Sequence, residues 1–367
     1  MTTEQKIIKA KVGLLELAKQ LGSVSQARIP TAVVLPSGNN YRDRTAAKMK
    51  LECDVSQLLD WIILPDDSTP SYVEIWFDVD ASDAESPLAI VLTPPLGPPS
   101  PETRPVADKV QLLQIENPVC AIYYDCVSAT DRARIFLAVN PSKSWDDGVP
   151  VAPSGRWGIT LTNKTTHPIT VHIYIQRDDT PAGFRRKGRQ SHFDHQEAYE
   201  RDPVTGNYDA LSEKGAITHE GTISAIGTGD ATVLVGAAQD RECLQPTVYA
   251  SSGPTPGKFG PDVSAIAEDG LAIPGLLAAG SMSGSIMAMG GTSVAAPQVT
   301  RELARNGVRP EMLEGRYVGE LGEQSPAGTN EPCAAAGAMD AKRLGKLVLH
   351  QREPATGQIR KWRQRED

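Results

Sequence analysis

The chain has 367 residues, of which 40% are hydrophobic and 22% charged, so it is long enough for two domains and is not a disordered polypeptide. Its formal net charge of −8 argues against a dedicated nucleic-acid binder, which would carry a basic surface. No apolar run is long enough to span a membrane, and residues 1–6 do not open a signal peptide, so we expect no membrane partner and a cytoplasmic location by default. The five cysteines have irregular spacing and no CxxC pair, so we expect no disulfide framework, no metal site and no cofactor.

The first predicted elements are a helix and a short strand. Apolar residues recur at three- and four-residue spacing over about 3–21, which predicts an amphipathic helix that ends at Gly22. A continuous apolar strand at 31–35 then runs into the Gly/Asn turn at 36–40. This order is typical of an α/β unit with a buried parallel strand.

From about residue 51 the pattern changes to short strands separated by Pro- and Asp-rich turns. It predicts an antiparallel β-sandwich, with strands at 72–79, 88–92, 119–126, 134–139, 157–162 and 169–175. In the last of these strands apolar and polar residues alternate, so His172 is predicted to be a surface or rim residue and not a metal ligand.

The third stretch begins with a polar segment. Residues 177–207 are predicted to form a long loop that includes the basic run 185–189. From about 216 the α/β pattern returns, with a buried strand at 231–236 and a helix at 294–305, and the charged tail after residue 350 is expected to fray. The predicted division is therefore 1–50, 51–180 for the sandwich insertion, 181–347, and 348–367 for the tail.

Ser293 is the best candidate for a chemical role. A serine nucleophile needs exposure, a base and donors for the oxyanion. The glycines of Gly290-Gly291-Thr292-Ser293 permit a tight turn, and Ser293 is predicted in the first turn of a helix, where unpaired N–H groups and the helix dipole favour a negative charge. The alternative is that Ser293 is only an N-cap.

Several segments together resemble the subtilisin-like serine proteases (subtilases). Residues 291–297, GTSVAAP, resemble the family's nucleophile signature, and 249–254 with 261–263 resemble its "FSSxGP…PDV" segment. Residues 233–237 resemble the "VIAVGA" strand, 336–341 the "GxGRVDA" close of the domain, and the turn at 37–39 the end of "AAGN". Residues 155–163 are similar to the "GxWxLxVxN" strand of jelly-roll domains that accompany many subtilases.

The resemblance implies a partial subtilisin-like α/β domain with a parallel sheet, interrupted by a jelly-roll-like insertion. It implies Ser293 as the nucleophile, acting on a peptide or protein substrate. The oxyanion would be held by the Asn39 side chain, with Asn40 the second candidate, by the Ser293 backbone N–H and by the Thr292 hydroxyl. One wall of the substrate pocket would be formed by Leu35, Pro36, Ser37 and Gly38.

The sequence departs from the family at the acid and the base. No D-T-G or D-S-G motif and no histidine precede Asn39. His219 lies in a Thr-His-Glu-Gly-Thr segment that resembles "HGT", but it follows Asn39 and Glu220 breaks the spacing. We therefore expect a serine endopeptidase that is inactive alone and that depends on an upstream polypeptide for its Asp and His. The alternatives are a non-catalytic pseudoprotease that binds peptides, and a gene fragment without independent function.

Overall fold

The computed structural model describes residues 33–79, 85–107, 109–113, 119–127, 132–145, 148–178, 188–195, 199–201, 208–210, 215–229, 232–239, 245–255, 259–268, 275–306, 343 and 348–349. Its strands, in chain order, are β1 (Val33–Pro36), β2 (Ala46–Leu51), β3 (Ser56–Ile63), β4 (Ser71–Asp78), β5 (Leu88–Thr93), β6 (Val110–Leu113), β7 (Cys120–Val127), β8 (Arg132–Val139), β9 (Gly155–Asn163), β10 (Ile169–Ile175), β11 (His192–Asp194), β12 (Tyr199–Arg201), β13 (Tyr208–Ala210), β14 (Thr232–Gln239), β15 (Gln245–Pro246), β16 (Val263–Glu268), β17 (Leu276–Ala279), β18 (Ile286–Met289) and β19 (Val348–Leu349). A 3-10 turn covers Ala225–Gly227, and helix α1 runs over Thr292–Asn306. Within the described residues, no helix is long and apolar enough to cross a bilayer.

The chain divides into two compact units. One, here called the inserted unit, comprises residues 42–219, and the other, the split unit, comprises residues up to 41 and from 220 onward. Each unit has its own hydrophobic core.

The inserted unit consists of two antiparallel sheets around one core. The strand orders are β2-β10-β4-β8-β7-β6 and β11-β3-β9-β5. Buried and half-buried residues alternate along β4, β8 and β10, as expected for strands with one face on a core. The largest completely buried side chains are Trp61, Trp157, Tyr124 and Phe77.

The two ends of the inserted unit are paired with each other. Ala47 and Ile217 form an antiparallel bridge. The Lys48 N–H donates to the Ala216 carbonyl at 2.8 Å, and the Thr218 N–H donates to the Ala46 carbonyl at 3.0 Å. The chain therefore enters and leaves this unit at adjacent points.

The split unit contains a sheet of parallel strands in the order β1-β14-β16-β19, with β15 antiparallel to β14. Helix α1 packs against β1, β14 and β16. Its buried face is formed by Ala295, Ala296, Val299 and Leu303, and the two alanines allow a close approach to the sheet.

Several features differ from the sequence predictions. Strands dominate the described residues and α1 is the long helix, so the α/β class predicted for the chain is supported only in part. The helix predicted at 3–21 and the tail after 350 lie outside the described residues. The segment 177–207, predicted as a loop, contains strands β11 and β12, and β2 and β11 extend the sandwich beyond the predicted range 51–180, because both pair with its sheets.

Candidate active site

Ser293 is the second residue of α1 and is exposed. Gly291, just before the helix, has φ +121°, and a Cβ there would lie 3.2 Å from Asn39 Nδ2, so a larger residue would push that amide slightly aside. Within the described residues, neither the Ser293 hydroxyl nor its backbone N–H has a hydrogen-bond partner. The serine is therefore accessible, and its own backbone N–H is free to donate.

Asn39 is held by the residue that precedes Ser293. Asn39 Oδ1 accepts hydrogen bonds from the Thr292 N–H at 3.0 Å and from Thr292 Oγ1 at 3.0 Å. A backbone N–H can only donate, so the oxygen of the amide must face Thr292 and the Nδ2 group must face away from it. Nδ2 donates no hydrogen bond within the described part of the chain and Asn39 is exposed.

Thr292 is almost completely buried, with 1% of its surface exposed. Its Oγ1 donates to Asn39 Oδ1 and accepts from the Gly38 N–H at 3.2 Å. The sequence analysis predicted that the Thr292 hydroxyl would donate to the oxyanion. A hydroxyl has one proton, and here that proton is donated to Asn39, so the hydroxyl cannot also donate to an oxyanion. Its geometry is that of a group that orients Asn39.

The four predicted pocket residues are placed differently from one another. Leu35 and Pro36 are half-buried in β1 and pair with Leu234 and Val235. Ser37 is completely buried, and no described residue bonds its hydroxyl, so its side chain cannot form the wall of an open pocket.

Gly38 is half-buried with φ +110°, and a Cβ there would lie 2.9 Å from Ser251 Oγ. The position therefore needs glycine both for its backbone conformation and for space.

Tyr249 and Ser251, which the sequence analysis named only as part of a motif, hold the turns of the site in place. The Tyr249 hydroxyl accepts a hydrogen bond from the Gly291 N–H at 2.7 Å. Burial, with the charge of Glu268, raises the pKa of Tyr249 to about 12, so the hydroxyl is neutral. Ser251 Oγ accepts from the Asn40 N–H at 3.1 Å and the Ser251 N–H donates to the Gly38 carbonyl at 3.1 Å.

The segment 249–254 therefore holds both turns of the site. The resemblance of this segment to the family's "FSSxGP" motif was the feature of the sequence that could have indicated this role.

The described residues provide no histidine for Ser293 in its own unit. The histidines that the structure describes, His167, His172, His192, His195 and His219, all belong to the inserted unit. Nor do any three of His, Cys, Asp and Glu within the described ranges come together as metal ligands would.

Comparison with known proteins gives a likeness of fold. No protein-family model matches the chain, and no curated protein matches its sequence. The structure is similar to that of the Clostridium perfringens CspB protease, with a TM-score of 0.60 and 13% sequence identity. The match covers 90% of this chain and 60% of that protein, so the chain has a protease-like fold and spans about three fifths of its structural neighbour.

Proposed function

We propose that the chain carries the nucleophile of a subtilisin-like serine endopeptidase that cleaves a peptide or protein substrate. One observation carries the proposal: both donors of Thr292 bind Asn39 Oδ1, which leaves the Asn39 Nδ2 group available beside the exposed Ser293. This hydrogen bond joins segments that are 253 residues apart in the sequence. One of the two segments carries the nucleophile-like signature at 291–297. The likeness of fold to a solved protease supports the same reading.

In this proposal Ser293 Oγ attacks the scissile carbonyl. The negative oxygen that forms accepts hydrogen bonds from Asn39 Nδ2 and from the Ser293 N–H, which has no intrahelical partner. Thr292 is a positioning residue, since it acts on the substrate only through Asn39. Leu35, Pro36 and Gly38 border the substrate, while the buried Ser37 supports the turn.

A serine hydroxyl needs a base, because it is a weak nucleophile while it keeps its proton. We propose that the acid and the base come from residues outside the described part of this chain, on an upstream polypeptide. The described chain would then react slowly by itself, through the oxyanion donors alone.

Labelling with a fluorophosphonate, read residue by residue by mass spectrometry, tests the proposal. Ser293 should be modified faster than Ser283, a serine of the loop between β17 and β18 that is also exposed. Ser293→Ala should remove the adduct. Asn39→Ala should slow it by about 100- to 1000-fold, the cost of removing one oxyanion donor in subtilisin. Addition of a polypeptide with the Asp and His motifs to the parent chain should produce peptidase activity that the chain lacks by itself.

Equal labelling of Ser293 and Ser283 would contradict an oxyanion site and would favour the pseudoprotease alternative. Fast labelling of the isolated chain would instead mean that the chain holds its own base, and His219 would be the first residue to substitute.

A further inference from the structure

The inserted unit contains a cavity of about 610 Å³. Its walls are parts of residues 92–101 and 148–153, and its inner surface includes the buried residues Val119, Cys120 and Trp157. The volume lies in the range of small-molecule sites, roughly 300–1000 Å³.

The described lining is more apolar than polar and carries no charged side chain. Among the described residues that line the cavity, Cys120 alone has an ionisable side chain, and burial raises the pKa of its thiol to about 12, so it is neutral. Six of the lining residues are prolines, which have no N–H to donate. A charged ligand would lose its hydration here without gaining an opposite charge.

The polar side chains at the cavity are already engaged. Trp157 Nε1 donates to the Pro153 carbonyl at 3.0 Å. Ser100 Oγ accepts from the Leu92 N–H at 2.9 Å and donates to the Pro101 carbonyl at 3.2 Å. What the described lining offers a ligand is therefore apolar surface, with its polar side chains already paired inside the protein.

Both walls are tied to the sandwich. The first is closed by a hydrogen bond from the Ser100 N–H to the Leu92 carbonyl at 2.8 Å. The second is held by Asn140 Nδ2, which donates to the Pro150 carbonyl at 3.0 Å, and by the Ala152 N–H, which donates to the Pro141 carbonyl at 3.0 Å. The cavity is thus preformed, which lowers the entropic cost of binding.

The rim of the cavity is apolar and open to water. Leu96, Val149 and Val151 are 74%, 45% and 46% exposed. Covering such surface is favourable by roughly 25 cal/mol per Å². We propose that this cavity binds a neutral, largely apolar small molecule, independently of the chemistry at Ser293.

The test uses two dyes with one ring system. N-phenyl-1-naphthylamine is neutral and has one N–H donor, and 8-anilinonaphthalene-1-sulfonate adds a negative charge to the same rings. With the full chain, the neutral dye should give a saturable one-to-one fluorescence increase, and the sulfonate should bind at least about tenfold more weakly because its charge has no partner in the lining.

A matched pair of variants places the dye in the cavity. Val149→Glu puts a charge on the rim and should weaken the neutral dye at least about tenfold. Val55→Glu changes a valine of the same unit that is also 45% exposed and does not line the cavity, and it should leave binding unchanged. Far-UV circular dichroism checks that both variants fold, and Leu96→Glu, on the opposite wall, replaces Val149→Glu if the latter unfolds.

A signal that does not saturate, equal affinity for the two dyes, or equal effects of the two valine variants would each overturn the proposal.

Discussion

At the scale of single residues, the candidate site depends on which atom donates to which. Thr292 donates two hydrogen bonds, from its N–H and from its hydroxyl, to Asn39 Oδ1, and these fix the direction of the Asn39 amide. The amide direction, and not only the presence of an asparagine, is what makes Nδ2 available to an oxyanion.

Thr292→Val tests this role. The change keeps the shape but removes one donor to Asn39 Oδ1 and the acceptor of the Gly38 N–H, so it should destabilise the split unit by about 1–3 kcal/mol. It should also slow labelling of Ser293. Thr292→Ser keeps the hydroxyl and should restore both the labelling rate and the amide-exchange protection of β14, measured by mass spectrometry. If the valine and serine variants behave alike, the hydroxyl does not orient Asn39.

A second residue-scale feature is a buried carboxyl in the inserted unit. Burial raises the pKa of Asp178 to about 7, and the charge of Asp67 adds to the effect, although hydrogen bonds from Ser191 oppose it. A carboxyl whose pKa is raised by folding stabilises the fold below its unfolded pKa of about 4, and this contribution is lost as the pH rises through about 7.

Asp178→Asn should therefore stabilise the protein at pH 8 by about 2–4 kcal/mol relative to the parent chain, and the difference should shrink towards pH 4. The amide oxygen can still accept the hydrogen bond from Ser191 Oγ, which donates to Asp178 Oδ2 at 3.0 Å. Denaturant unfolding at both pH values measures the change. Asp66→Asn removes a carboxylate that is 69% exposed and should change stability by less than about 0.5 kcal/mol at either pH. Destabilisation by Asp178→Asn at pH 8 would mean that the ionised form is the one the fold stabilises.

At the scale of elements, the turn after β1 depends on a glycine that touches a neighbouring loop. Gly38→Ala should add strain at φ +110° and a clash with Ser251 Oγ, whereas Gly284→Ala, at φ +77° with open space around it, should add strain alone. A residue with a side chain costs about 1–3 kcal/mol in such a conformation. We expect a larger loss of amide-exchange protection in β14 for the Gly38 variant. Equal losses of protection in the two variants would show that the Ser251 side chain moves aside without a cost in stability.

The strands that could be predicted from the sequence are those with long alternation. The predicted strand at 169–175 coincides with β10, and the helix predicted at 294–305 lies within α1. Strand β11 was missed because it has three residues and one apolar side chain, Phe193, and it forms by pairing with β3. The burial of Ser37 and the direction of the Thr292 proton could not be predicted either, since both depend on contacts between residues far apart in sequence.

At the scale of the whole molecule, the larger core belongs entirely to residues 47–217. A fragment of residues 42–219 should therefore unfold in one cooperative transition and show a β-type far-UV spectrum. A fragment of residues 52–180, the range suggested by the sequence, lacks β2, β11 and Ile217 and should unfold at a lower denaturant concentration. Equal midpoints for the two fragments would mean that the outer strands add nothing to the core.

The paired ends of the inserted unit have a consequence for the order of folding. The Asn39 and Thr292 segments meet only if the chain closes a loop that contains residues 42–219. Closing an unfolded loop of about 250 residues costs roughly 1 kcal/mol more entropy than closing one of about 80, the length that remains once Ala46 and Thr218 are bridged. Because Ala46 and Thr218 are already hydrogen-bonded in the folded sandwich, prior folding of that unit shortens the loop that remains to be closed. Ser293 and Asn39, the proposed nucleophile and oxyanion donor, would then come together last, after the sandwich has folded.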